Sequence, residues 1–215
     1  MKLTHKIDKK NIVINAREKT YDLLIFDEVV RANQYELPLE LGGVFIDVGG
    51  HIGTFAVMCS VLGATVYTFE PVKANFNLLE QNISENKCKV VACNKAVTSD
   101  GRDINLNESD NNINTGGYYI DSKGTIKVKS VSIHDVLKEH EQVNLLKLDC
   151  EGAEYEILEA LTDEEFRKVK NIVMEWHISN RKARRLKKYL EGKGYKCTYT
   201  EIRENLGFLK CISTS

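Results

Sequence analysis

Val44-Phe45-Ile46-Asp47-Val48-Gly49-Gly50-His51-Ile52-Gly53 is the stretch on which the fold turns. An apolar run of strand length drops into paired glycines, which reads as a buried parallel strand ending in a tight turn. Residues 52–62 follow with apolar side chains at helical spacing, and Gly63 supplies a C-terminal cap. Residues 65–69 form a second apolar run, closed by Glu70 and Pro71, with Pro71 suited to the first turn of a helix to about residue 85. Residues 89–97 read as a third strand. Strand, helix, strand, helix, strand in this order predicts a parallel sheet with helices on both faces.

Further out the pattern changes. Residues 101–130 are polar, with Asn-rich turns around 111–117 between short alternating pieces, which predicts a β-hairpin-like insertion after the third strand. Ser132 with Asp135 predicts a cap on a short helix to about residue 139. Residues 143–148 and 171–175 read as buried strands, 154–161 and 181–191 as helices. Residues 195–200 and 208–212 read as a closing antiparallel pair. The expected architecture is an α/β fold with a seven-stranded, mostly parallel sheet. One domain over residues 1–215 is expected, with 1–40 as a lead-in segment.

Bulk properties exclude little but are consistent. Thirty basic residues nearly cancel thirty-one acidic ones, so there is no general pull toward nucleic acid or an acidic membrane. The first residues lack an apolar signal-like core, and no apolar run approaches a membrane span. Six cysteines, none in a CxxC pair, are expected to be reduced, buried thiols in a cytoplasmic protein.

The glycine turn lies where open α/β sheets bind ligands, at the carboxyl end of the first strand. Glu70 ends the next strand, where a carboxylate can accept from two ribose hydroxyls. Together they imply an adenosine-type ligand. The G-x-G-x-x-G register fails: counting back from Gly53 puts Val48 first, and counting on from Gly49 puts Thr54 third. No Gly-Lys-Ser/Thr follows for a phosphate loop. Asp47 is awkward beside a pyrophosphate but suits the cationic methionyl part of S-adenosylmethionine. A second cluster, Leu145 to Glu154, puts Asp149 and Glu151 at the end of the fourth strand. Lys147, inside that strand, needs a carboxylate partner, and Asp149 or Glu175 is expected. Glu175 and His177 share one side of the fifth strand and can converge on Asp149 to pass a proton. The same three groups could hold a divalent metal, although no metal site is assigned.

The segments Val44 to Val57, Val66 to Ile83, Asn144 to Leu158 and Val173 to His177 resemble, in order and spacing, the FkbM family of methyltransferases. The resemblance covers residues 35 to about 177. It implies a class I, Rossmann-like S-adenosylmethionine fold and O-methylation of a sugar or natural product. It implies that Asp47, Gly49 and Gly53, with the turn residues Gly50 and His51, line the methionyl side and that Glu70 holds the ribose. Phe69 and Pro71 would pack near adenine, with Asn94 and Ala96 at its edge. Asp149 and Glu151 would face the reacting methyl, and Tyr35 would close over the cofactor. Catalytic roles fall to Asp149, Glu175 and His177. His51 departs from the family, which often has asparagine there. The expected partner is a small-molecule hydroxyl acceptor; nucleic acid and membrane are disfavoured and a homodimer is left open. Two alternatives stand beside this reading. One is a nucleic-acid methyltransferase, suggested by the basic run Arg181 to Lys188 but lacking an Asn/Asp-Pro-Pro-Tyr motif. The other is a non-catalytic S-adenosylmethionine-binding module.

Overall fold

The computed structural model describes residues 1–108, 113–177 and 179–214. The chain opens with a hairpin, β1 (Lys2–Ile7) and β2 (Lys10–Asn15), then helix α1 (Asp22–Phe26), which continues as a π-helical turn (Asp27–Arg31). Next come β3 (Val44–Val48), α2 (Thr54–Leu62), β4 (Thr65–Phe69), α3 (Lys73–Asn86) and β5 (Val90–Cys93). A middle region holds β6 (Ala96–Thr98), β7 (Ile104–Asn107), β8 (Tyr119–Ile120), β9 (Ile126–Val128), β10 (Ser130–Ser132) and α4 (Ile133–Lys138). The chain ends with β11 (Leu145–Leu148), α5 (Glu154–Ala160), α6 (Asp163–Lys168), β12 (Asn171–Trp176), α7 (Asn180–Gly192), β13 (Tyr195–Arg203) and β14 (Leu206–Ser213).

Seven strands form the central sheet in the order β13-β14-β12-β11-β3-β4-β5. All neighbours are parallel except β14, which runs antiparallel to both β12 and β13. The chain winds outward from β3 through β4 to β5 and then returns to β11 on the other side of β3. That reversal opens a crevice beyond the carboxyl ends of β3 and β11. The strands are buried on both faces because period-two alternation sends side chains both ways. Phe45, Leu145 and Val173 pack with α2 and the β1–β2 hairpin. Ile46, Val48, Leu146, Leu148, Ile172 and Met174 pack with α4 to α7.

Several expectations need correcting. The strand expected over residues 89–97 is two: β5 stays in the sheet, and β6 leaves it to pair with β10. The break falls at Asn94, whose amide donates to the carbonyls of Glu70 (2.8 Å) and Pro71 (3.0 Å). The insertion over 101–130 is a three-stranded antiparallel sheet, β8-β7-β9, rather than a hairpin. Part of its Asn-rich turn, residues 109–112, lies outside the described residues. Helix α6 was not anticipated, although Thr162 and Glu165 form a reciprocal capping box at its start. Ser132 does cap α4, accepting from the Asp135 N–H at 3.0 Å. Two of the six cysteines are not free thiols: Cys197 and Cys211 face each other across β13 and β14, with Cα atoms 4.1 Å apart, and are joined by a disulfide.

The basic run of α7 is the outer side of an amphipathic helix. Ala183, Leu186 and Leu190 are buried, while Arg185 pairs with Glu159 and Lys187 with Glu191. No helix among the described residues is long and apolar enough to cross a membrane.

Candidate active site

A cleft of 620 Å³ opens at the β3–β11 crevice, a volume suited to a small organic ligand. Its wall comes from the glycine turn, the ends of β4, β11 and β12, the α1 segment, the insertion and the β13–β14 hairpin.

At one end, the backbone does the shaping. Gly49 has φ +85°, and a Cβ there would sit 1.8 Å from the carbonyl oxygen of Asp149. A Cβ on Gly50 would meet the Thr68 hydroxyl at 2.2 Å. Only glycines let β3 turn so close to β11 and β4. His51 also takes a left-handed conformation, φ 50°, which directs its N–H to Glu70 Oε2 at 2.8 Å. Val72 N–H donates to Glu70 Oε1 at 2.8 Å, and Asn75 Nδ2 lies 3.5 Å from the same oxygen. Burial nevertheless pushes the Glu70 carboxyl up to about 7, against those donors.

The His51 imidazole is held in a network that no local sequence pattern announces. Its Nε2 lies 3.0 Å from Thr115 Oγ1 in the insertion and 3.2 Å from Arg17 Nη2 in the lead-in. Fully buried Asp22 accepts from Arg17 Nε (2.9 Å) and Thr115 Oγ1 (2.7 Å). Burial pulls the His51 imidazole down to about 4, despite the nearby Asp22 carboxylate. It is therefore neutral near pH 7. Asn75 Nδ2 also donates to the Thr115 carbonyl at 3.0 Å, so the insertion is tied to the glycine turn and to α3.

At the other end, charge is concentrated. Lys147 is 3% exposed and lies 3.0 Å from Asp47 Oδ1 and 3.6 Å from Asp149 Oδ2, while donating to the Gly49 carbonyl at 2.8 Å. Its nearest carboxylate is thus Asp47, not Glu175. The reason is register: Lys147 and Asp47 are opposed across β11 and β3. Burial alone would lower the Lys147 pKa, but Asp47 and Asp149 override it and hold the ammonium charged.

His177 sits among three glutamates, 3.4 Å from Glu154, 3.6 Å from Glu175 and 3.7 Å from Glu151. Burial would depress its pKa, yet these carboxylates push it up to about 11. It is an imidazolium at neutral pH and cannot accept a proton there. Burial pushes Glu151 up to about 7, opposed mainly by His177. Burial and the neighbouring Asp149 also raise Glu175. Asp149, Glu175 and His177 each present an atom within 4.8 Å of the others, a spacing that a divalent cation could bridge once His177 had lost its proton.

A stability prediction follows from the His177 arrangement. His177→Leu removes the one cation among three carboxylates, and we expect it to cost about 2 to 4 kcal/mol near pH 8. Because the folded pKa of His177 is raised, its contribution is complete below about pH 6.5 and declines as pH rises toward 11. The deficit in urea unfolding should therefore shrink as the pH is raised from 8 toward 11.

Of the residues expected to form the site, Tyr35, Gly49, Gly50, His51, Phe69, Glu70, Pro71, Ala96, Asp149, Glu151, Glu175 and His177 line the cleft. Three do not. Asp47 is fully buried beneath it, its carboxylate taken by Lys147 and by Thr68 Oγ1 at 2.8 Å. Gly53 caps α2, with Leu79 Cγ 3.1 Å from where a Cβ would sit. Asn94 braces the Glu70 turn. The sequence reading missed Glu28, Asn75, Tyr118 and Phe208 in the wall. It also missed Thr54, which follows Gly53 directly and could have been found as the first residue of the helix after the turn.

The model of the methyltransferase FkbM domain matches residues 47–197. Hexuronic acid methyltransferase AglP of Haloferax volcanii is 30% identical over 136 residues, 62% of this chain. That match spans 56% of the archaeal protein's length. Methyltransferase 1 of Beauveria bassiana is 27% identical over 226 residues, covering 91% of this chain and 90% of that protein. Among solved structures, precorrin-6y C5,15-methyltransferase from Geobacter metallireducens superposes with a TM-score of 0.53 at 13% identity, covering 94% of this chain and 93% of its own. The fold is that of the class I methyltransferases.

Proposed function

The chain belongs to the FkbM methyltransferase family, and from that membership we propose that it is an S-adenosylmethionine-dependent O-methyltransferase acting on a sugar or another small hydroxylated acceptor. The observation that carries the reading is one cleft with two different ends: the glycine turn and Glu70 at one, Asp149, Glu175 and His177 at the other. The name of the archaeal relative supports the sugar class. Residues 1–215 are read as one catalytic domain whose lead-in and insertion wall the cleft.

The residues present fit the cofactor. Gly49 and Gly50 leave bare backbone where side chains would intrude. Thr54 Oγ1 and Asn75 Oδ1, both in residues lining the cleft, are buried without a hydrogen-bond partner among the described residues. Glu70 would hold the ribose hydroxyls on the lone pairs that the His51 and Val72 N–H groups and the Asn75 amide leave free. When bound, S-adenosylmethionine supplies an electrophilic methyl on a sulfonium. Asp149 would take the acceptor hydroxyl proton, with Glu175 beside it. His177, already protonated, would hold Glu151 and Glu175 in place rather than act as a base. The wall of the cleft would align the acceptor with the methyl.

Incubation with methyl-labelled S-adenosylmethionine and a panel of methyl glycosides, hexuronic acids included, tests the activity. A labelled O-methyl product is expected; S-adenosylhomocysteine binding without product from any hydroxylated acceptor would contradict it and favour a non-catalytic module. A pH prediction attaches to Glu70. If the ionised carboxylate is the form that binds ribose, a carboxyl titrating near 7 makes S-adenosylhomocysteine bind about tenfold more tightly at pH 8 than at pH 6. Calorimetry with Glu70→Gln separates this from Glu151, which titrates in the same range: the dependence should vanish in that variant.

A further inference from the structure

Tyr35 lies in the lead-in, before the segment that matches the family, yet it reaches the reacting end of the cleft. Its ring is 5% exposed and is clamped edge-on by two others: Phe55 of α2 at 5.1 Å and 80°, and Phe208 of β14 at 5.7 Å and 75°. Its hydroxyl lies 3.4 Å from Asp149 Oδ2. Lys147 addresses the same oxygen, from 3.6 Å. Asp149 Oδ1 has no hydrogen bond among the described residues. Such long contacts are usual before a catalytic site is filled, and they tighten when it is.

We propose that Tyr35 is a positioning residue for Asp149: its hydroxyl, aimed by the Phe55–Phe208 clamp, donates to Oδ2 and leaves Oδ1 to receive the acceptor proton. The inference rests on Asp149 being the base, as proposed above. The clamp explains why the position is aromatic and the hydroxyl why it is tyrosine. Burial, with Asp149 and Glu175 close by, raises the phenol well above its ordinary range, so it remains a donor wherever the enzyme works. The assignment replaces the expectation that Tyr35 closes over the cofactor. It also makes the lead-in and β14, both outside the matched segment, parts of the catalytic centre.

Tyr35→Phe keeps the clamp and removes only the donor. The test is the titration of the Asp149 carboxyl by NMR in protein labelled with ¹³Cγ-aspartate, with Asp149→Asn identifying its resonance. Around Asp149 stand Glu28, Asp47, Lys147, Glu151, Glu175 and His177, all present in both proteins. A hydrogen bond to the carboxylate favours the charged form, so its loss should raise the midpoint by about 0.5 to 1 pH unit. An unchanged or lowered midpoint overturns the proposal, since packing alone would not move it. No methyl transfer enters this measurement. If Asp149 is not the base, that failure appears separately, as undiminished turnover in Asp149→Asn.

Discussion

Asp149→Asn is expected to lower kcat by about 10² to 10⁴ and to leave S-adenosylhomocysteine affinity within about twofold. The range is what a positioned proton acceptor contributes; asparagine keeps the shape and removes the basicity. Asp149 is suited to the part because it follows β11 directly and faces the cleft. The alternatives at that end are less able. His177 already carries a proton, and Glu175 lies 3.6 Å from that imidazolium, its carboxylate engaged in the ion pair. Methyl incorporation and calorimetry on the same preparation check both halves. Turnover within threefold of the parent would move the base to Glu175, the next carboxylate along the sheet end.

Gly49→Ala has the largest expected effect on stability. The new methyl would lie 1.8 Å from the Asp149 carbonyl oxygen, and the backbone there has φ +85°. Relief would require β3 and β11 to part where Asp149 N–H bonds Val48 O at 3.1 Å. We expect a loss above about 4 kcal/mol, a size reserved for a few severe mechanisms of which buried overlap is one. That is a fall in Tm of roughly 10 °C or more for a chain of this length. Gly152→Ala is the control. It has φ +112° but nothing within 4 Å of the added carbon, so it should show the backbone cost alone, about 1 to 2 kcal/mol. Equal losses in the two would remove the close approach of β3 to β11 as the reason for the glycine.

Much of this was legible because the decisive signals are local. An apolar run breaking into Gly49-Gly50 marks the strand end, and Glu70 follows at the end of the next strand. Ser132 and Asp135 announce their cap by spacing alone. What could not be read depends on pairing between distant segments. Asp47 looked like a charge for the ligand because its partner, Lys147, is a hundred residues away and becomes its neighbour only through the β3–β11 register. His177 looked like a base because nothing in the sequence near it shows that Glu151 and Glu154 fold against it. The β1–β2 hairpin was within reach, since Ile12 and Ile14 alternate and are both fully buried. The role of Asp22, joining Arg17, His51 and Thr115, was not: three separate segments meet there, and no motif spans them. The Cys197–Cys211 pair belongs to the same class, visible only once β13 and β14 are in register.

The central claim is that the crevice beyond β3 holds S-adenosylmethionine, with Glu70 on the ribose. Isothermal titration of S-adenosylhomocysteine into the parent chain and Glu70→Ala at pH 8 tests it most directly. One saturable site per chain is expected, weakened at least about tenfold in the variant, as for loss of hydrogen bonds to a charged group. The absence of saturable binding to the parent, or equal affinity in the two proteins, would contradict the account.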